Sequence, residues 1–312
     1  MHELILHHYP ASPFAEKARL MLGFKQLSWR SVIIPPVMPK PDLTALTGGY
    51  RRTPVLQIGA DVYCDTALIA RRLEAEKVTP ALLPEGLEFA ASTLAQWADS
   101  ALFLHAVSLM FQPESLAARF AKAPPELVQT FSKDRAALFS GGTVSRIPTE
   151  VAKHQWPTLM ARLEQQLARE EGEFLLGAAP CIADIAVAHC LWFLRSTPVT
   201  APLVDAYPEI RAWLDKVLAA GHGSFTELSS GEAVEIARAA EPAALPEEDF
   251  EDPNGFAVGE QVAIAATDYG VEPVEGQLLF AGAEELVLRR EDARAGVLHV
   301  HFPRFGFRLD KR

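Results

Sequence analysis

The alternation of apolar and polar positions is most informative between Tyr50 and Leu73. Val55-Leu56-Gln57-Ile58 and Val62-Tyr63 are two short strand-like runs joined by a turn at Gly59-Ala60-Asp61. Cys64-Asp65-Thr66 then opens a helix whose apolar positions are Ala67, Leu68, Ala70 and Leu73. Two such runs around a glycine turn predict a hairpin. Asp65 holds the N-cap position, ahead of backbone N–H groups that a helix leaves without partners. Pro54 heads the first strand, where a missing N–H does least harm and a cis bond is allowed. The stretch predicts a surface that grips an extended peptide by its backbone and its carboxylate.

The pattern upstream is compatible with this. Residues 3–8 read as a strand. Ser12 before Pro13 is the preferred N-cap-then-N1 order, and Phe14, Ala18, Met21 and Leu22 give helical spacing to about Phe24. Trp29–Ile34 reads as a second strand. The prolines at 35, 36, 39 and 41 exclude regular structure there, and Asp42 is expected to cap a short helix. Residues 1–78 are therefore expected to form one α/β unit in the order β-α-β-(α)-β-β-α. After a linker at 78–86 the period becomes helical. An all-α unit is expected over 86–239, with helices near 87–111, 125–139, 149–170, 182–195, 208–220 and 224–239.

Residues 240–254 are an acidic, proline-rich linker: Glu241 to Pro253 holds six acidic residues, three prolines and no basic residue. Across 255–312 short alternating runs separated by Gly or Asp turns predict a small antiparallel β barrel of SH3-like type.

Composition narrows the function classes. Twenty-nine Lys plus Arg against forty Asp plus Glu give a net charge of −11, which argues against nucleic acid as partner. Cysteines at 64, 181 and 190 form neither a disulfide framework nor a zinc pattern, so a reducing, cytoplasmic setting is expected. No run is long and apolar enough for a membrane span, and the start of the chain lacks a signal-peptide pattern.

Four signals resemble the glutathione S-transferase superfamily over residues 1–238. Ser12-Pro13-Phe14-Ala15-Glu16-Lys17-Ala18-Arg19 is similar to the strand-to-helix turn of its Ser and Cys classes, zeta and omega in particular. Thr53-Pro54 resembles its cis-proline, and Asp65-Thr66 its acidic-Ser/Thr pair. Cys181-Ile182-Ala183-Asp184 resembles the capping box of its helical half, with cysteine in place of the usual hydroxyl. The resemblance implies a thioredoxin-like domain followed by a helical domain, glutathione as co-substrate, no metal, and a homodimer with a detoxifying transferase activity. Nothing in it assigns a role to residues after 240.

On that resemblance Ser12 is the expected catalytic hydroxyl and Tyr9 its rival. A free thiol ionises near ~8.5, and a hydroxyl donor with a helix N-terminus favours the thiolate. Thr53 and Pro54 would meet the cysteinyl part of glutathione, and Asp65 and Thr66 its γ-glutamyl end. Lys40, with Arg52 as a second candidate, would meet the glycine carboxylate. Phe14, Trp97, Phe103, His105 and Met110 are candidates to line an apolar pocket for an electrophile. Cys64 is read as a buried apolar residue rather than a redox group. His299 and His301 share one face of a strand, a spacing that suits a metal, but with no further ligand nearby they are read as an exposed strand face.

The expected function is stabilisation of the glutathione thiolate for attack on an electrophilic small molecule. Glutathione-dependent reduction or isomerisation on the same site is one alternative. The other is a non-enzymatic binding or scaffolding protein that uses the C-terminal β module.

Overall fold

The computed structural model describes residues 3–169 and 172–312. In chain order the first part runs β1 (Leu4–His8), α1 (Pro13–Phe24), β2 (Ser28–Ile33), α2 (Pro41–Thr47), β3 (Val55–Ile58), β4 (Asp61–Cys64) and α3 (Thr66–Glu76). β1 is buried at all five positions, as a strand covered on both faces must be. It pairs parallel with β2 and antiparallel with β3, and β3 turns at Gly59 (φ 61) into β4. α2 departs from expectation. Its N-cap is Lys40, and Pro41, with φ preset for a first helical position, places Asp42 inside the first turn.

The helical part runs α4 (Glu88–Trp97), a π-helical turn (Ala98–Leu102), α5 (Phe103–Met110), α6 (Pro113–Arg119), α7 (Pro125–Leu138), α8 (Thr149–Leu167), α9 (Ile182–Arg195), α10 (Pro202–Asp205) and α11 (Pro208–Leu218). The short α6 and α10 are additions to the pattern read from sequence. The helix expected to reach 170 ends at Leu167, with Ala168 as its C-cap; residue 170 itself lies outside the described residues. α9 is buried along nearly its whole length and packs on α1, α4 and α5. Its start is held by Asp184, which accepts from the backbone N–H of Cys181 (3.0 Å) and Leu175 (2.9 Å) and from Trp213 Nε1 (2.9 Å). Among the described residues no helix is long and apolar enough to cross a membrane.

Residues 224–239, expected as one helix, divide into β5 (Ser224–Glu227) and α12 (Ser230–Ala239). The break follows from the Ser229–Glu232 capping box, which starts the helix at 230. The preceding Phe225-Thr226 pair lies along the free edge of β2.

The last part runs β6 (Gln261–Ala266), β7 (Val274–Ala281), β8 (Glu285–Asp292), β9 (Gly296–Pro303) and β10 (Phe307–Lys311). These strands do not close into an SH3-like barrel. They extend the N-terminal sheet to ten strands in the order β10-β6-β7-β8-β9-β4-β3-β1-β2-β5. The physical reason lies at β4, whose outer edge carries unpaired backbone groups; β9 pairs with it in parallel. One apolar cluster then runs from Val55 and Val62 to Leu288, Val300 and Phe302.

β1 also carries two buried imidazoles. His7 Nε2 is 2.8 Å from Gln57 Oε1, and His8 is 2.9 Å from Ser31 Oγ and 3.0 Å from Arg19. Burial pushes His7 down to about 4, and burial together with Arg19 pushes His8 down to about 3. An unfolded chain protonates both near 6.5. Between that value and about 4 the unfolded state therefore holds more protons, so stability is lost as pH falls. Two such groups predict a loss of about 2 kcal/mol between pH 6 and pH 5. Urea unfolding across that range measures it, and a flat profile contradicts it.

Candidate active site

Three chain segments converge beside the end of β1. After His8 the chain turns, with Ser12 N–H donating to Tyr9 O at 3.1 Å. Ser12 is extended (φ −80) and caps α1, its Oγ accepting from Ala15 N–H at 3.2 Å. That bond uses a lone pair and leaves the hydroxyl proton to give. The second segment is Thr53-Pro54, joined by a cis peptide bond. Thr53 N–H and C=O make no backbone hydrogen bond among the described residues, and Thr53 lines a cavity on either side. The third is the start of α3. Asp65 has φ 76 and ψ 141, outside the αL well and strained for a residue with a Cβ, and its carboxylate accepts from Ala67 N–H at 3.0 Å.

Two adjoining cavities open here. The smaller, about 370 Å³, has Tyr9, Ser12, Lys40 and Arg119 among aromatic walls that include Phe103 and Phe139. The larger, about 750 Å³, carries Lys17, Pro54, Asp65, Thr66 and Asp99. Phe14, Arg52, Thr53 and Tyr269 line both. A ligand held at Thr53 can therefore reach Ser12 on one side and the α3 N-terminus on the other.

The partition is made by Arg52 and Tyr269. The Arg52 guanidinium lies 4.1 Å from the Tyr269 ring centre, Nε donates to Tyr269 O at 3.0 Å, and the group pairs with Asp268 and, at 3.5 Å, with Asp65. Arg52 is thus engaged at the γ-glutamyl end of the expected site rather than at its glycine end. Tyr269 stacks on Phe139 with centroids 4.8 Å apart. The loop that carries it, between β6 and β7, is pinned to the helical part by Gly270 N–H on Leu138 O (2.7 Å) and Val144 N–H on Asp268 O (3.1 Å). A side chain at Gly142 would strike Asp268 O. The C-terminal strands thereby build one wall of the site.

Charge in the site is unevenly held. Lys40 Nζ donates to Thr53 Oγ1 at 2.9 Å, and burial with Arg135 nearby pushes it down to about 8. Burial raises Asp65, with Arg52 and the Ala67 N–H opposing. The π-helical turn aims Asp99 at Lys17 and, at 3.1 Å, at His189. Against the pull of burial those two partners hold Asp99 below the usual carboxylate range. Lys17 also donates to Thr66 Oγ1 at 3.3 Å.

The other candidates fall elsewhere. Met110 is fully buried in the core. His105 is tied to Ala101 O (2.7 Å) and Gln155 Oε1 (2.8 Å), and neither it nor Trp97 lines either cavity. On α5 His105 is turned roughly 200° from Phe103, whereas Met110, seven residues on, shares the Phe103 face but is sealed in the core. Cys64 is fully buried and burial raises its thiol well above the ordinary range, so it has no thiolate to offer. Sequence reasoning missed Lys17, Asp99, Arg119 and Tyr269. Only Asp99 had a local signal: an acid set between Trp97-Ala98 and Ala101-Leu102 on an otherwise apolar stretch.

A thioredoxin-like sheet domain joined to a helical domain, with a peptide-sized cleft at a cis-proline between them, defines the class of glutathione-binding folds. Family models for the glutathione S-transferase N-terminal and C-terminal domains match residues 6–81 and 153–216. The structure of a GST-like protein from Pseudomonas syringae is 62% identical over 100% of both chains, with a TM-score of 0.85. The chain belongs to the glutathione S-transferase superfamily. A glutathione transferase from Phanerochaete chrysosporium shares the fold at 18% identity, covering 70% of this chain and 98% of its own, with a TM-score of 0.55. A glutathione S-transferase from Rhodospirillum rubrum does so at 20% identity, covering 69% and 88%, with a TM-score of 0.53. No curated protein matches the chain.

Proposed function

We propose that the chain is a glutathione-dependent transferase that holds the thiolate of glutathione at Ser12 for attack on an electrophile. The observation that carries this reading is the shared lining: Thr53 faces both cavities, with Ser12 in one and the α3 N-terminus in the other. The cysteinyl backbone of glutathione pairs with Thr53 N–H and C=O. Its γ-glutamyl carboxylate rests on the first N–H groups of α3 and Thr66, with Lys17 behind them. Its glycine carboxylate meets Lys40. The γ-glutamyl ammonium shares Asp65 with Arg52.

Within the smaller cavity the Ser12 hydroxyl donates to the sulfur, and the α1 N-terminus adds its partial positive charge. The thiolate then forms a C–S bond with the electrophile. In a displacement the leaving group departs with the electron pair of the broken bond. The aromatic walls suit an apolar electrophile and exclude water from the reacting sulfur. Serine rather than cysteine at 12 favours this chemistry over thiol–disulfide exchange, because no protein thiol is at hand. The reading extends to a cytoplasmic homodimer with a detoxifying role, on the strength of the superfamily.

Calorimetric titration with S-methylglutathione, which has no thiol to titrate, tests the binding half. The Lys40 ammonium is present below about pH 8 and is lost above it. Affinity is expected to fall about tenfold more between pH 7 and pH 9 in the unaltered protein than in Lys40→Met, where the ligand's own ammonium still titrates. The same pH dependence in both proteins removes Lys40 from the site; no binding at all removes the reading. Product analysis tests the other half, since conjugation retains glutathione in the product and isomerisation returns it.

A further inference from the structure

His299 and His301 are two residues apart on β9 and share a face. Leu298, Val300 and Phe302 point the other way into the core. The parallel register sets Asp61 of β4 beside His299 and Tyr63 beside His301. This face is not the exposed strand surface that the alternation suggests: the His301 side chain is 7% exposed and that of His299 14%. β4 supplies what the sequence lacked, a third donor 240 residues away. His301 Nε2 lies 3.0 Å from Asp61 Oδ1, His299 Nδ1 lies 3.8 Å from the same oxygen, and all three atoms fall within 4.8 Å of one another.

We propose that Asp61, His299 and His301 bind one zinc-type divalent cation that ties β9 to β4. Two imidazole nitrogens and one carboxylate oxygen are a donor set for zinc, cobalt or nickel; magnesium and calcium take mostly oxygen. Ligands about 2.1 Å from a tetrahedral ion stand about 3.4 Å from each other; the two histidine–Asp61 separations, 3.0 and 3.8 Å, bracket that value, and the donor atoms of the two histidines lie within 4.8 Å. His299 Nδ1 is buried and has no hydrogen-bond partner among the described residues, a vacancy that a metal bond explains. Each remaining ligand is also oriented. Glu285 Oε1 lies 2.5 Å from His301 Nδ1, so that nitrogen donates to it, and Nε2, which without metal is hydrogen-bonded to Asp61 Oδ1 at 3.0 Å, is the nitrogen that exchanges this bond for the metal. Asp61 Oδ2 accepts from Ala243 N–H at 2.8 Å, which leaves Oδ1 facing the histidines. Tyr63 stacks on His301 with centroids 4.4 Å apart and fixes the ring. The partial exposure of His299 gives an ion a way in and a water the fourth position. One cation opposes: Arg289, across from His299 in the β8–β9 register, pairs at 3.5 Å with Glu291.

The test uses the full chain without an affinity tag, stripped with a chelator and titrated with Zn²⁺ by calorimetry and with Co²⁺ by visible absorption. One equivalent of Zn²⁺ is expected, Co²⁺ is expected to give the intense bands of a tetrahedral site, and Mg²⁺ is not expected to compete. His299→Ala is expected to abolish stoichiometric binding while leaving the metal-free melting temperature unchanged. Glu285→Gln is expected to weaken Zn²⁺ roughly 10- to 100-fold. Less than one-tenth of an equivalent bound, or the same stoichiometry in His299→Ala as in the unaltered protein, overturns the site. Should His299→Ala fail to fold, His301→Gln takes its place with the same two readings.

Discussion

Replacing Ser12 with alanine is expected to slow conjugation of glutathione to an aromatic halide by about 10²- to 10³-fold, the usual cost of one hydrogen bond made to developing negative charge. Glutathione affinity should change little, because backbone and carboxylate contacts at Thr53, Lys40 and α3 carry the binding. The substitution also removes the α1 cap, worth about 1 kcal/mol. Thermal unfolding of the variant separates that cost from the loss of rate. Tyr9→Phe is the companion measurement. Tyr9 lines the same cavity, with Lys40 Nζ 5.9 Å from its ring centre. If Tyr9→Phe loses the rate and Ser12→Ala keeps it, the two residues exchange roles.

Truncation after Pro242 is expected to abolish soluble, cooperatively folding protein. The deleted strands do not form an appendage: β9 covers the β4 edge, and Phe302 and Val300 are fully buried in the same cluster as Val55 and Val62. Removing them bares an apolar face and an open strand edge, a template for aggregation. A milder version is Phe302→Ala, which empties a site packed against Tyr50 and Phe307 and is expected to cost about 3 to 5 kcal/mol. A soluble truncated protein with a native-like melt would make the β strands an independent module. Loss of activity in a folded variant of Tyr269 would place the wall they build within the site's function.

Legibility in the sequence followed the range of the forces involved. The β3–β4 hairpin, the Ser12-Pro13 helix start and the Asp65 cap rest on residues a few positions apart, and all three lie where the pattern put them. The partner of β9 was not legible. Alternation says that Leu298, Val300 and Phe302 share a face; it does not say that the edge beside them belongs to β4. A closed barrel and an extended sheet have the same period. The Arg52–Tyr269 partition is hidden for the same reason, since the two residues meet only after that pairing forms. At residues 224–239 the helical pattern of α12 was extended backwards over β5, whose strand character comes from the open edge of β2. His105 and Met110 were misplaced because spacing names a face of a helix without saying which neighbour covers it.

In the proposed mechanism the site holds the sulfur of glutathione as a thiolate beside Ser12. Ultraviolet absorbance of that thiolate, followed against pH with glutathione bound, measures it directly. An apparent pKa at least one unit below the free value near ~8.5 is expected, returning towards it in Ser12→Ala. A bound thiol that ionises no more readily than the free one would mean that Ser12 does not stabilise a thiolate.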